Sequence, residues 1–142
     1  MILSALALLL AAQNVVITTH EPRSASPWVN SVRASCGAQR LAIDGYGGSK
    51  PLTALARIRI NGRAVAGREM GRLVADLSHK RAVYRLQILC GYAGGIELRI
   101  GEGERLPDGP VRYRAARAEF QGGRLRAYTG FEEADADAFW FR

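Results

Sequence analysis

The sequence predicts a small, mainly antiparallel β-sandwich with one short helix and one disulfide. Three observations carry this reading: apolar residues alternate with polar ones through most of the chain, Gly-rich turn signals recur between the alternating runs, and the only two cysteines, Cys36 and Cys90, each end such a run on its apolar face. Seven or so short strands bounded by glycine turns suit a sandwich or small barrel. An immunoglobulin-like architecture is compatible with that pattern. A true immunoglobulin domain would place a tryptophan between the cysteines and a tyrosine two residues before the second. Here Ile88 holds the tyrosine position, and neither Trp28 nor Trp140 lies between the cysteines.

Ile2 to Ala12 is an uninterrupted run of Leu, Ala, Ile and one Ser, with the length of a signal-peptide core and short of the roughly 20 apolar residues of a membrane span. We expect residues 1–12 to be a signal peptide, cut after Ala11 or Ala12, and 13–142 to form one exported β-sandwich domain, periplasmic or secreted, with no transmembrane span in the mature chain. No Lys or Arg precedes the run, so an uncleaved anchor or a buried first strand are the alternatives.

Val32, Ala34 and Cys36 alternate with Arg33 and Ser35, and Leu41 and Ile43 alternate with Arg40, Ala42 and Asp44, so Val32–Cys36 and Gln39–Asp44 read as strands. Gly45 to Pro51 has loop composition. In 54–60, Ala56, Ile58 and Ile60 oppose Arg57 and Arg59, and the run ends at Asn61-Gly62, the strongest short-range signal for a type I′ hairpin. Ile58 should then lie across from Val65. From Arg68 to Leu77 the period changes: Met70, Leu73, Val74 and Leu77 recur at helical spacing, and a short covering helix is expected near 68–78 although Gly71 weakens it.

Strict alternation returns in 82–90, with Tyr84, Leu86, Ile88 and Cys90 opposite Arg85 and Gln87. After Gly94-Gly95, Ile96, Leu98 and Ile100 oppose Glu97 and Arg99. Glu102 to Pro110 reads as a polar loop. Val111–Phe120 and Arg124–Thr129 form a second hairpin across Gly122-Gly123. A two-residue turn there predicts Phe120 opposite Leu125, Glu119 opposite Arg126, Ala118 opposite Ala127 and Arg117 opposite Tyr128. The acidic segment from Glu132 to Asp137 reads as a loop or turn of helix leading into Phe139-Trp140-Phe141.

The cysteines are expected to pair with each other across the core. Their inward parity and the exported compartment favour a disulfide over a reactive thiolate. Catalysis has little to draw on. Only His20 and His79 titrate near neutrality, His20 near the expected mature N-terminus and His79 among Ser78, Lys80 and Arg81, and neither a Gly-x-Ser-x-Gly elbow nor a Ser-x-x-Lys pair occurs. No catalytic residues, metal ligands or cofactors are therefore assigned. Glu132, Glu133, Asp135 and Asp137 lack the spacing of a calcium loop and read as a solvated acidic turn.

The formal charge of +7 rests on 20 basic residues against 13 acidic ones, and 18 of the 20 are arginines. Arginine makes bidentate contacts with carboxylates and phosphates that lysine does not. GC-rich codon usage would inflate Arg and Ala with no ligand at all, and we prefer that account of the composition as such. The placement of the arginines says more. Arg57 and Arg59 on one predicted hairpin and Arg124 and Arg126 on the other take outward strand positions, so these four are the candidate anion-binding residues, with Tyr113 and Tyr128 as stacking neighbours. Arg112 and Arg114 fall on the inward parity.

Export disfavours nucleic acid as a partner and points to a cell-envelope polyanion or a partner protein. The reading is an exported non-catalytic binding protein. The alternatives are a secreted inhibitor or accessory subunit acting through loops such as Gly45–Pro51 or Glu102–Pro110, and an enzyme whose site carries no recognised motif.

Overall fold

The computed structural model describes residues 17–20, 31–46, 55–78, 83–91 and 94–135. The expected signal peptide, His79 and the Phe139-Trp140-Phe141 tail lie outside the described residues. Among the described residues, ten strands and one helix follow in the order β1 (Ile17–His20), β2 (Ser31–Cys36), β3 (Gln39–Asp44), β4 (Arg57–Ile60), β5 (Arg63–Ala64), α1 (Met70–Ser78), β6 (Val83–Cys90), β7 (Ile96–Arg105), β8 (Val111–Gln121), β9 (Arg124–Tyr128) and β10 (Glu132–Glu133).

The strands form two antiparallel sheets. One is the meander β2-β3-β4-β5; the other runs β1-β6-β7-β8, with the far edge of β8 shared between β9 and β10. Within each sheet, pairing follows chain order almost throughout, an arrangement distinct from the crossed connections of immunoglobulin domains. The Asn61-Gly62 turn has both residues at positive φ, 52° and 76°, as a type I′ turn requires. It is also tied sideways: Asn61 Oδ1 accepts the Arg40 amide and the Asn61 amide donates to the Arg40 carbonyl, each at 2.9 Å.

Alternation delivers one core. Val32, Leu41, Ile43, Ile58 and Ile60 from the first sheet meet Leu86, Ile88, Ile96, Leu98, Ile100 and Phe120 from the second, and Leu73 and Leu77 of α1 close the cluster. The helix begins two residues later than the sequence pattern indicates. It keeps the expected apolar stripe, with Leu73 and Leu77 fully buried and Met70 and Val74 only partly so.

Among the described residues, two links at the sheet edges join the sheets. Cys36 and Cys90 form the expected disulfide, linking the end of β2 to the end of β6. On the opposite side, Ala66 forms an isolated parallel bridge to Arg124, and the Leu125 amide donates to the Ala66 carbonyl at 2.8 Å, so β9 attaches where β5 ends. This seam depends on close approach: a Cβ on Gly67 would come within 2.8 Å of Leu125 Cβ and 2.9 Å of Leu125 O.

Several expectations need correction. The stretch from Glu102 is not loop: β7 continues to Arg105 and pairs with β8 as far as Val111, leaving only 106–110 as a turn closed by Gly109 N–H to Leu106 O and Leu106 N–H to Pro110 O, both 3.0 Å. In the second hairpin Phe120 does face Leu125, but a bulge between Glu119 and Phe120 shifts the rest, so that Glu119 faces Ala127 and Ala118 faces Tyr128. The bulge turns Tyr128 rather than Ala127 into the core, a larger apolar area to bury. Ile17–His20, close to the expected mature N-terminus and not assigned to an element from the sequence, is an edge strand paired with Leu86–Leu89. Glu132–Glu133 pairs with Arg114–Ala115 as a short strand instead of a free loop or helical turn. Tyr46, at the start of the expected Gly45–Pro51 loop, is fully buried in the core cluster.

Candidate functional site

All four candidate arginines, Arg57, Arg59, Arg124 and Arg126, are exposed, while their neighbours Ile58, Ile60 and Leu125 are buried. Parity alone sets this direction strand by strand. The seam brings the two pairs onto one surface: Val65 N–H donates to Ile58 O at 3.3 Å, Ala66 O accepts from Leu125, and β9 therefore continues the outer face of β2-β3-β4-β5.

That face holds more arginine than the sequence identified. In register across the sheet run Ser31–Asp44–Arg57, then Arg33–Ala42–Arg59–Ala64, then Ser35–Arg40. Arg33 and Arg40 thus join Arg57, Arg59, Arg124 and Arg126. The single carboxylate in these outward rows is Asp44, in register with Arg57 and ion-paired with Arg33 at 3.1 Å. The outward parity of Arg33 and Arg40 was readable in the sequence; the alignment of Arg33 with Arg59 through Ala42 depended on the sheet order.

On β7 and β8 the outer face of the second sheet is charged differently from β9. Arg99 meets Glu97 at 3.2 Å, and Arg117 lies 3.6 Å from Glu97 and 3.7 Å from Glu119. Exposed pairs of this kind add little stability. Their consequence is electrostatic: positive charge there is compensated locally, and the field of the excess arginine falls on the other face.

Arg112 and Arg114 follow the inward parity expected of them. β8 runs past the end of the apolar core, and there Arg112 reaches Glu133 at 2.7 Å while Arg114 reaches the buried Glu102 at 3.1 Å and lies 5.5 Å from the Phe131 ring centroid. Neither belongs to the arginine face. Glu133 is accordingly engaged with the protein's own arginine, as an acidic turn facing a basic partner would be.

Tyr128 is not a stacking platform for ligand. It is buried, its hydroxyl donates to Asp76 Oδ2 of α1 at 2.5 Å, and Arg72 lies 5.6 Å from its ring centroid. Burial first, then the hydrogen bond and negative charge of Asp76, push its pKa well above the ordinary tyrosine value, so the phenol remains a neutral donor. The side chain of His20 and all of His79 lie outside the described residues, and among the described residues no group of three His, Cys, Asp or Glu side chains could hold a metal ion. No described helix is long and apolar enough to cross a membrane. Comparison of the chain with protein-family models, curated proteins and solved structures gave no match.

Proposed function

We propose that this is an exported, non-catalytic β-sandwich protein whose arginine face binds an anionic partner, either a protein or a cell-envelope component. One observation carries the reading: six outward arginines against one outward aspartate on the continuous surface of β2, β3, β4, β5 and β9. Arginines two apart on a strand stand about 7 Å from each other, inside the Debye length of about 8 Å at physiological salt, so they repel. An anion bound between them relieves that repulsion and gains charge-assisted bonds. The disulfide supports an oxidising compartment, in keeping with the apolar N-terminal run.

The test is retention on immobilised heparin, used as a generic polyanion, at low and at physiological salt. Wild-type protein is expected to bind at low salt and to elute as salt rises. The double substitution Arg59→Glu, Arg124→Glu should weaken binding by about tenfold or more, since a hydrogen bond to a charged group is worth about 1.5–3 kcal/mol. The double substitution Arg99→Glu, Arg117→Glu on β7 and β8, where each arginine has a carboxylate partner, removes equal charge and should weaken it far less. Equal effects of the two pairs would reduce the binding to net charge and remove the face from the account.

A further inference from the structure

Between α1 and the β4–β5 hairpin runs an open trough of about 370 Å³, walled by Ile58, Val65, Met70 and Val74, with Arg57 and Arg59 along its strand side. The trough follows from the brevity of β5. With two residues, β5 covers only the end of β4, and α1 takes over beside the first half, where Ser78 Oγ accepts the Ala56 amide at 2.8 Å and donates to Val74 O. The helix covers this strand without filling the space beside it.

Gly71 keeps the space open. It lines the trough from the middle of the first helical turn, and a Cβ built on it would meet nothing within 4 Å. A glycine inside a helix costs stability relative to alanine, and no packing constraint requires one here. Leu55 precedes Ala56 of the trough lining in the chain, shares the parity of Arg57 and is 67% exposed, the only large apolar side chain so exposed among the described residues.

We infer that the trough receives an acidic segment of a partner protein carrying one large apolar side chain, which enters between Val65, Met70 and Val74 while flanking carboxylates meet Arg57 and Arg59. The inference rests on the arginine face binding an anionic partner and specifies that partner. Size and setting select a peptide over a lipid. At about 370 Å³ the trough is a seat for one or two side chains, and a single exposed leucine is a meagre apolar surface for insertion into a bilayer. The charge complementarity is local, because Arg57 and Arg59 border the apolar wall itself. Met70 supplies an unbranched, adaptable surface of the kind that accepts varied apolar anchors.

Two short polyglutamate peptides, one with a central leucine and one with a central glycine, test this by fluorescence anisotropy at low salt. The leucine peptide is expected to bind wild-type protein about tenfold more tightly or better, the gain from burying one leucine. Gly71→Leu, which fills the trough from an open helical position, should bring its affinity down to that of the glycine peptide. Far-UV circular dichroism checks that this variant is folded, and the comparison of the two peptides on wild-type protein needs no variant. Equal binding of both peptides by wild-type protein would overturn the trough and leave the arginine face standing. Failure of both peptides and of heparin would remove the face and the trough together. Binding of phosphatidylglycerol vesicles but not of either peptide, lost in Gly71→Leu, would replace the acidic segment by a lipid.

Discussion

Tyr128 shows how much one side chain decides in a domain of this size. Its ring enters the core at the β8–β9 bulge, its hydroxyl reaches across to Asp76, and the Arg72 guanidinium packs against its ring and against Gly130, where even a methyl group would collide with Nη2. These contacts fix α1 to β9. Tyr128→Phe keeps the ring and deletes the donor, so it should destabilise the fold by about 1–2 kcal/mol, read as a lower urea midpoint at pH 8 with an unchanged slope. The alkaline behaviour has a definite sign. The folded-state pKa is raised, so the neutral phenol is favoured by folding; this contribution is complete below the unfolded value near 10 and is lost as pH climbs above it. Between pH 8 and pH values above about 10, wild-type protein should lose more stability than Tyr128→Phe. Parallel losses in the two proteins would show that Tyr128 ionises as easily folded as unfolded.

Elements built on alternation with a tight turn are legible in the residue pattern alone: β2, β3, β4 and most of β6 lie where Val32, Leu41, Ile58 and Leu86 place them, and the turns at Asn61-Gly62 and Gly122-Gly123 fall as expected. The second half of β7 is not legible in that way. Gly101 and Gly103 carry no side chain to mark a face, and Glu102 is an inward position occupied by a carboxylate because Arg114 meets it there. A charge buried against a partner 12 residues away has no local signature. The same holds for the candidate site. The outward parity of Arg57, Arg59, Arg124 and Arg126 can be read from each strand alone, whereas their common surface depends on the Ala66–Arg124 bridge, for which neither strand holds a signal. Gly67 is the residue that permits that bridge. Gly67→Ala should cost about 1–3 kcal/mol through its contact with Leu125 and should weaken heparin binding by separating β4 from β9. Unchanged stability in urea would mean that the seam adapts to a methyl group and that the glycine serves no packing role.

At the scale of the whole molecule, two closures hold the sheets on opposite sides of the core, and they act on opposite sides of the folding equilibrium. The disulfide closes a loop with a sequence separation of 54 and restricts the unfolded chain, a contribution of about 4 kcal/mol on the chain-entropy account. The Gly67 seam exists only in the native state, where β5 gives way to β9. Because one acts on the unfolded ensemble and the other on native packing, and they share no contact, their losses should add. Urea unfolding of four species, with and without Cys36→Ala, Cys90→Ala and with and without Gly67→Ala, gives the double-mutant cycle directly. The expected coupling is within about 0.5 kcal/mol of zero. A much larger loss in the combined variant would show that either closure alone keeps the sheets in register and that the native state tolerates the absence of one but not both. The cysteine pair would then hold native topology as well as restrict the unfolded chain.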